Sequence, residues 1–236
     1  MGWVTILYVA MAAFSATIAG IYLVAWLMRR EDWTYLLFVL LAFSIAGLAA
    51  MELWMLRART PDEYASALRW YHVPVWSGFL AMVGLIHLRL RPRFSWVGWL
   101  AVALRTVSLI ANFASGPNLN YLALTGLEHL DLLGEPVATV TGVPNPWMLT
   151  GQASLLLALL FLLDGGITAW RRGDGLRSLV LAISLCFAVV VGTVQVVLVF
   201  WGLAQLPILV TPLFLFVALV MGSELSLGLL RAARAE

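Results

Sequence analysis

Glu52 stands in "LAAMELWML", residues 48–56, a run otherwise fit for hydrocarbon, where an unpaired charge costs roughly 3 kcal/mol or more. Arg105 stands in an equally apolar run, and Ser108 and Asn112 follow it at i+3 and i+7, on the same helical face. A buried guanidinium needs an anion, and Glu52 is the carboxylate at comparable depth, so a Glu52–Arg105 pair with His72 nearby is the expected solution. Two roles are open to it. The pair either fixes helix order and packing, or lines a site, as intramembrane ionisable residues commonly do. Gln152 and Gln195 fall toward the same end of their runs, and Trp76 and His129 complete the candidate ligand-binding set. The chemistry these types offer is recognition by charge and hydrogen bonding.

A second group, Asp164 and Glu224, falls toward the opposite end. Either each pairs locally, with Arg171 and Arg231, or together they form a latch between the fifth and seventh runs. Pro74 and Pro212 are expected to kink their helices. Pro212 then serves as a hinge, so that Asp164, Pro212 and Glu224 form the expected signal-transmission set.

Several chemistries are excluded by residue type. The chain has no lysine, so a retinal Schiff base in the seventh run is ruled out. Its 3 histidines are too few and too scattered for a zinc hydrolase centre. His72 and His87 would lie about 22 Å apart along one helix, which also argues against haem. A lone "DGG" at 164–166 lacks the second aspartate motif of an intramembrane protease, and neither a phosphate-binding glycine loop nor a plausible Ser-His pair is present.

The elements that must position these residues follow from composition. The 236 residues are 63% hydrophobic and 11% charged, with a mean hydropathy of +0.97, against about 25% charged in an average soluble domain. Apolar runs of about 20 residues or more suit helices crossing a bilayer, not barrel strands. Seven are read: about 3–28, 33–56, 70–89, 95–114, 147–170, 178–201 and 205–230. The first is too long and poorly flanked for a cleaved signal peptide. Arginines at 29, 30, 89, 91, 93, 171, 172, 177, 231 and 234 gather on one side, against 57, 59 and 69 on the other. This bias predicts an outer N-terminus and a cytoplasmic C-terminus. It accounts for the basic residues without a nucleic-acid partner. Tryptophans 33, 54, 96, 99, 147, 170 and 201 sit at run ends, as an interfacial belt would.

The long outer segment 115–146 is too apolar for disorder and of a length that commonly carries function. Within it "LDLLGEPVATV" reads as a small β-hairpin about a Gly134-Glu135-Pro136 turn, either a plug or a lid over the outer mouth. Asn145 and Pro146 suit the start of the fifth helix. "SELSLGLLRAARAE" ends without a helix stop, which suggests continuation beyond residue 236.

The segments "AMELWMLRARTPDEYASALRWYHVP", "RTVSLIANFASGPNLNY", "LGEPVATVTGVPNPWMLTGQ", "LLDGGITAWRRGD" and "VMGSELS" together resemble the N-terminal seven-helix membrane sensor region that precedes PAS and kinase modules in bacterial sensor histidine kinases. The resemblance covers nearly the whole chain. It implies a homodimeric input module of a two-component system, with residues 1–236 as one domain whose end, 224–236, leads to cytoplasmic signalling parts. Phosphoacceptor histidine and nucleotide-binding lobe are missing here, so the chain itself is not expected to be an enzyme. The expected ligand is small and partly apolar: a quinone, a lipid-like acid or an aromatic compound. Transport of a small solute is the alternative, although the repeat symmetry usual in such carriers is not visible.

Overall fold

A computed structural model describes residues 2–235, except the side chains of 175–177, 224 and 227–235. In chain order the elements are α1 (Trp3–Met28), α2 (Trp33–Leu56), α3 (Pro61–Leu90), α4 (Ser95–Ala114), β1 (Tyr121–Leu132), β2 (Glu135–Pro144), α5 (Met148–Arg172), α6 (Gly175–Phe200) and α7 (Thr211–Ala235). Among the described residues six helices, α1 to α6, are long and apolar enough to cross a membrane. The chain is thus a multi-pass membrane bundle with a small antiparallel sheet at one end.

Local chemistry sets the element ends. Asp32 accepts the Thr34 N–H at 3.0 Å and starts α2. Thr60 accepts the Glu63 N–H at 3.2 Å, with Pro61 in the first turn and Asp62 and Glu63 facing the helix dipole. That signal places the start of α3 well before residue 70, the expected boundary. The expected turn also moves: Leu133 and Gly134, both at positive φ (52° and 84°), form a two-residue hairpin turn, and Glu135 opens β2. Register runs from Leu132↔Glu135 to Tyr121↔Pro144 with two bulges, so the hairpin is much longer than the sequence suggests.

Consecutive helices pack as neighbours, α7 closes the ring against α2 and α6, and α3 also reaches α5 and α6 across the interior. The core at the arginine-rich end is built on Phe38, Leu41, Ile45, Leu85 and Phe161. At the hairpin end, Leu48, Leu68, Tyr121, Ala138, Met148 and Phe200 share a second cluster, while Val4, Tyr8, Ala49 and Val137 form a third. Val137 and Ala138 are fully buried in these clusters, so β2 is part of the core. Outward faces carry large apolar side chains such as Ile21, Ile110, Leu156 and Ile183, the pattern of a lipid-facing surface. All seven belt tryptophans named above are exposed.

The last run departs most from expectation. Residues 201–210 are not helical, and α7 begins only at Thr211. Pro212 is therefore its second residue. In the first helical turn the missing N–H is no loss and no kink arises, which removes the expected hinge from Pro212.

Candidate functional site

Glu52 is fully buried one turn before α2 ends. Its Oε2 accepts the Tyr8 hydroxyl at 2.9 Å, and its Oε1 accepts the Tyr71 hydroxyl at 3.2 Å. The backbone N–H groups of Val210 and Thr211 both donate to Oε1 at 3.0 Å. The first N–H groups of a helix have no intrahelical acceptor. A carboxylate at that end satisfies them and meets the positive end of the dipole. Glu52 thereby caps α7 and ties it to α1 and α3.

The expected Glu52–Arg105 pair does not form. Arg105, also buried, donates through Nη2 to the Gly151 carbonyl at 3.2 Å, and its guanidinium carbon lies 5.0 Å from the Phe79 ring centre. Among the described residues no carboxylate reaches it, and its Nε has no acceptor. Two helices face each other here through small groups: Ser108 and Thr150 hydroxyls are 2.8 Å apart, and a Cβ on Gly151 would meet Arg105 Nη1 at 3.3 Å.

Arg105, His72, Gln152, Asn120 and Thr193 supply polar groups to one internal chamber whose walls are otherwise mainly apolar, including Phe79, Met82, Leu155, Val189 and Phe214. Its volume is about 90 Å³. Nε2 of His72 donates to Asn120 Oδ1 at 2.7 Å, which fixes the ring against the loop leading into β1. Gln152 Nε2 is buried without an acceptor. Among the described residues two donors, one on a permanent cation, thus lack partners on side chains that line the chamber. Such a lining could satisfy a hydrogen-bond acceptor or an anion beside an apolar body.

Other expected site residues lie elsewhere. Asn112 Nδ2 donates to the Arg69 carbonyl at 2.8 Å and its Oδ1 accepts the Leu119 N–H at 2.9 Å, which ties α4 to α3 and to the outer segment. Gln195 donates to the Pro207 carbonyl at 3.0 Å and so holds the unwound stretch before α7. Trp76 donates to Thr106 on α4 at 2.9 Å and does not line the chamber. His129 is exposed on β1. Asp164 accepts the Phe94 N–H at 2.9 Å, joining α5 to the start of α4 rather than pairing with Arg171. The Glu224 side chain, the other half of the expected latch, lies outside the described residues.

Sequence reading missed Tyr8, Tyr71, Asn118 and Asn120. Asn118 Oδ1 accepts the N–H groups of Asn120 and Tyr121, both at 2.9 Å, and Asn145 donates to the Asn118 carbonyl at 3.2 Å. The dense asparagines of "GPNLNY" were the available signal for such a backbone-clamping turn. Asn145 also accepts the Trp147 N–H at 3.1 Å, so the expected cap before α5 forms, one turn ahead of the regular helix. Tyr121, outside the spans, packs with its ring centre 5.7 Å from that of Phe200, and burial pushes its phenol up to about 12.

The hairpin is pinned from the other side. The Glu135 carboxylate accepts the Val4 N–H at 2.9 Å and pairs with Arg57, whose guanidinium also donates to Thr5 at 2.9 Å. A Cβ on Gly2 would overlap that carboxylate. No known protein family, curated protein or solved structure matches this chain.

Proposed function

We propose that the chain is the membrane input module of a bacterial two-component sensor, a seven-span bundle of the inner membrane with its hairpin outside and its C-terminus in the cytoplasm. It works as a homodimer. A small, partly apolar ligand enters the chamber, and its occupancy is transmitted through α7. The observation that carries this reading is that, among the described residues, Arg105 meets no carboxylate and the Gln152 amide nitrogen no acceptor, while both side chains line a chamber that α6 and α7 also wall. Ligand atoms there touch Val210 and Phe214. Those residues flank the point where Glu52 caps α7, so a filled chamber changes the packing on which the cap depends. Arginine sidedness supports the orientation.

One observation favours the alternative of solute transport. An unwound stretch leading into a helix whose N-terminus is buried is a device of carriers. The two readings part in one experiment: native mass spectrometry of the purified protein, followed by flux of the identified molecule into proteoliposomes. Retention of a small molecule without flux is the expected result. Protein-dependent flux would establish the carrier instead, and absence of any small molecule together with absence of binding would remove reception.

A further inference from the structure

We infer that the chamber takes a small monocarboxylate whose anion is held by Arg105 and Gln152 and whose body lies against Phe79, Met82 and Leu155. The inference rests on the reception reading and names the ligand class for it.

Charge comes first. A guanidinium stays cationic, and in the bundle interior an uncompensated cation is costly. Here Glu52, the carboxylate expected to compensate it, is engaged by Tyr8, Tyr71, Val210 and Thr211. Among the described residues Arg105 keeps the Gly151 carbonyl and the face of Phe79. A neutral carbonyl ligand would accept a hydrogen bond but leave the charge unbalanced. A carboxylate does both, and its two oxygens match two donors. Gln152 Nε2, buried and without an acceptor, is a second donor on the next helix. The Nε2–H of His72 is turned to Asn120 and is not a third donor for the anion.

Size comes second. To hold one water a cavity needs roughly 10–15 Å³. The chamber's 90 Å³ is several times that, room for a small ring or a short chain. That is the size of benzoate or hexanoate. A long acyl chain or a tailed quinone exceeds that space and would have to extend out of the chamber. One charge on the protein calls for one on the ligand, and a dicarboxylate would bury a second anion among apolar walls.

The test uses the full chain in lipid nanodiscs, with benzoate, benzamide and palmitate as probes and thermal stabilisation and calorimetric Kd as readouts. Benzoate is expected to stabilise, and benzamide, its neutral isostere, to bind at least about tenfold more weakly, a difference that corresponds to about 1.4 kcal/mol. Arg105→Gln should abolish that discrimination while Gln152→Ala weakens benzoate severalfold. The comparison of benzoate with benzamide needs no variant and stands if Arg105→Gln fails to fold. Benzamide binding as tightly as benzoate would overturn the carboxylate inference while leaving reception intact. Palmitate binding more tightly than benzoate would overturn the size argument. If neither benzoate nor benzamide binds, and a different small molecule copurifies, the ligand class is wrong but reception stands. If nothing binds or copurifies, reception falls with it.

Discussion

Glu52 Oε1 accepts the Thr211 backbone N–H at 3.0 Å, so a carboxylate of α2 closes the N-terminus of a helix 159 residues further along the chain. This contact explains how an acidic residue persists in an apolar span. It is paired with backbone and phenol donors instead of a cation. It also makes the start of α7 dependent on a single side chain.

Glu52→Ala strands two helix N–H groups and the Tyr8 and Tyr71 hydroxyls in the interior. An unsatisfied buried group costs about 1–3 kcal/mol, so a loss of about 3 kcal/mol or more is expected. Glu52→Gln keeps one carbonyl acceptor and should lose less. Denaturant or thermal unfolding in nanodiscs measures both. Equal stability of Glu52→Ala and the parent would show that the cap contributes nothing.

Because Glu52 and Arg105 are not partners, Glu52→Gln and Arg105→Gln should add in a double-mutant cycle. The interaction energy is expected within about 0.5 kcal/mol of zero. Stability regained in the double variant would be the signature of a buried ion pair, whose single losses cost about 3–5 kcal/mol, and would contradict the geometry.

Deleting 130–141 removes Val137 and Ala138 from two core clusters and Glu135 from its contacts with Val4 and Arg57. The expected outcome is failure to fold, the behaviour of a plug. Glu135→Ala should be milder, about 1–3 kcal/mol, with faster amide exchange at Val4. A deletion variant that folds and alters only ligand response would restore the lid.

Pro212 in the first turn of α7 predicts a near-silent Pro212→Ala, within about 1 kcal/mol, and an unchanged output when the chain is fused to a kinase module. Gln195→Ala should shift that output instead, because it releases the Pro207 carbonyl and the stretch before α7. Output moved by Pro212→Ala but not by Gln195→Ala would return the hinge to the proline.

Gly151→Ala places a methyl 3.3 Å from Arg105 Nη1. Overpacking costs about 1–3 kcal/mol, and here the guanidinium can yield. A small change in melting temperature with weakened benzoate binding is expected. Unchanged binding would mean that the guanidinium does not hold the anion.

Much of the architecture was legible in the sequence because it depends on short-range chemistry. Apolar run length identifies a membrane bundle, Asp32 marks a helix start, and "LDLLGEPVATV" announces a hairpin. The start of α3 was legible too, in Thr60, Pro61 and Glu63, and the apolar window centred further along simply obscured it. The unwound stretch before α7 was hidden for a related reason: "WGLAQLPILV" is as apolar as a helix, and hydropathy does not distinguish a helical run from an extended one packed inside a bundle. The site was legible as a set of polar residues at one depth, among which His72, Arg105 and Gln152 do share a chamber. Their partners were not. Charge pattern suggests side-chain partners, but Glu52 is met by the N–H groups of Val210 and Thr211, and Arg105 by the carbonyl of Gly151. Every residue carries such backbone groups, so residue type does not mark them. Which of them a buried charge meets depends on how far each helix is rotated and where it starts, and that is decided only when the helices pack.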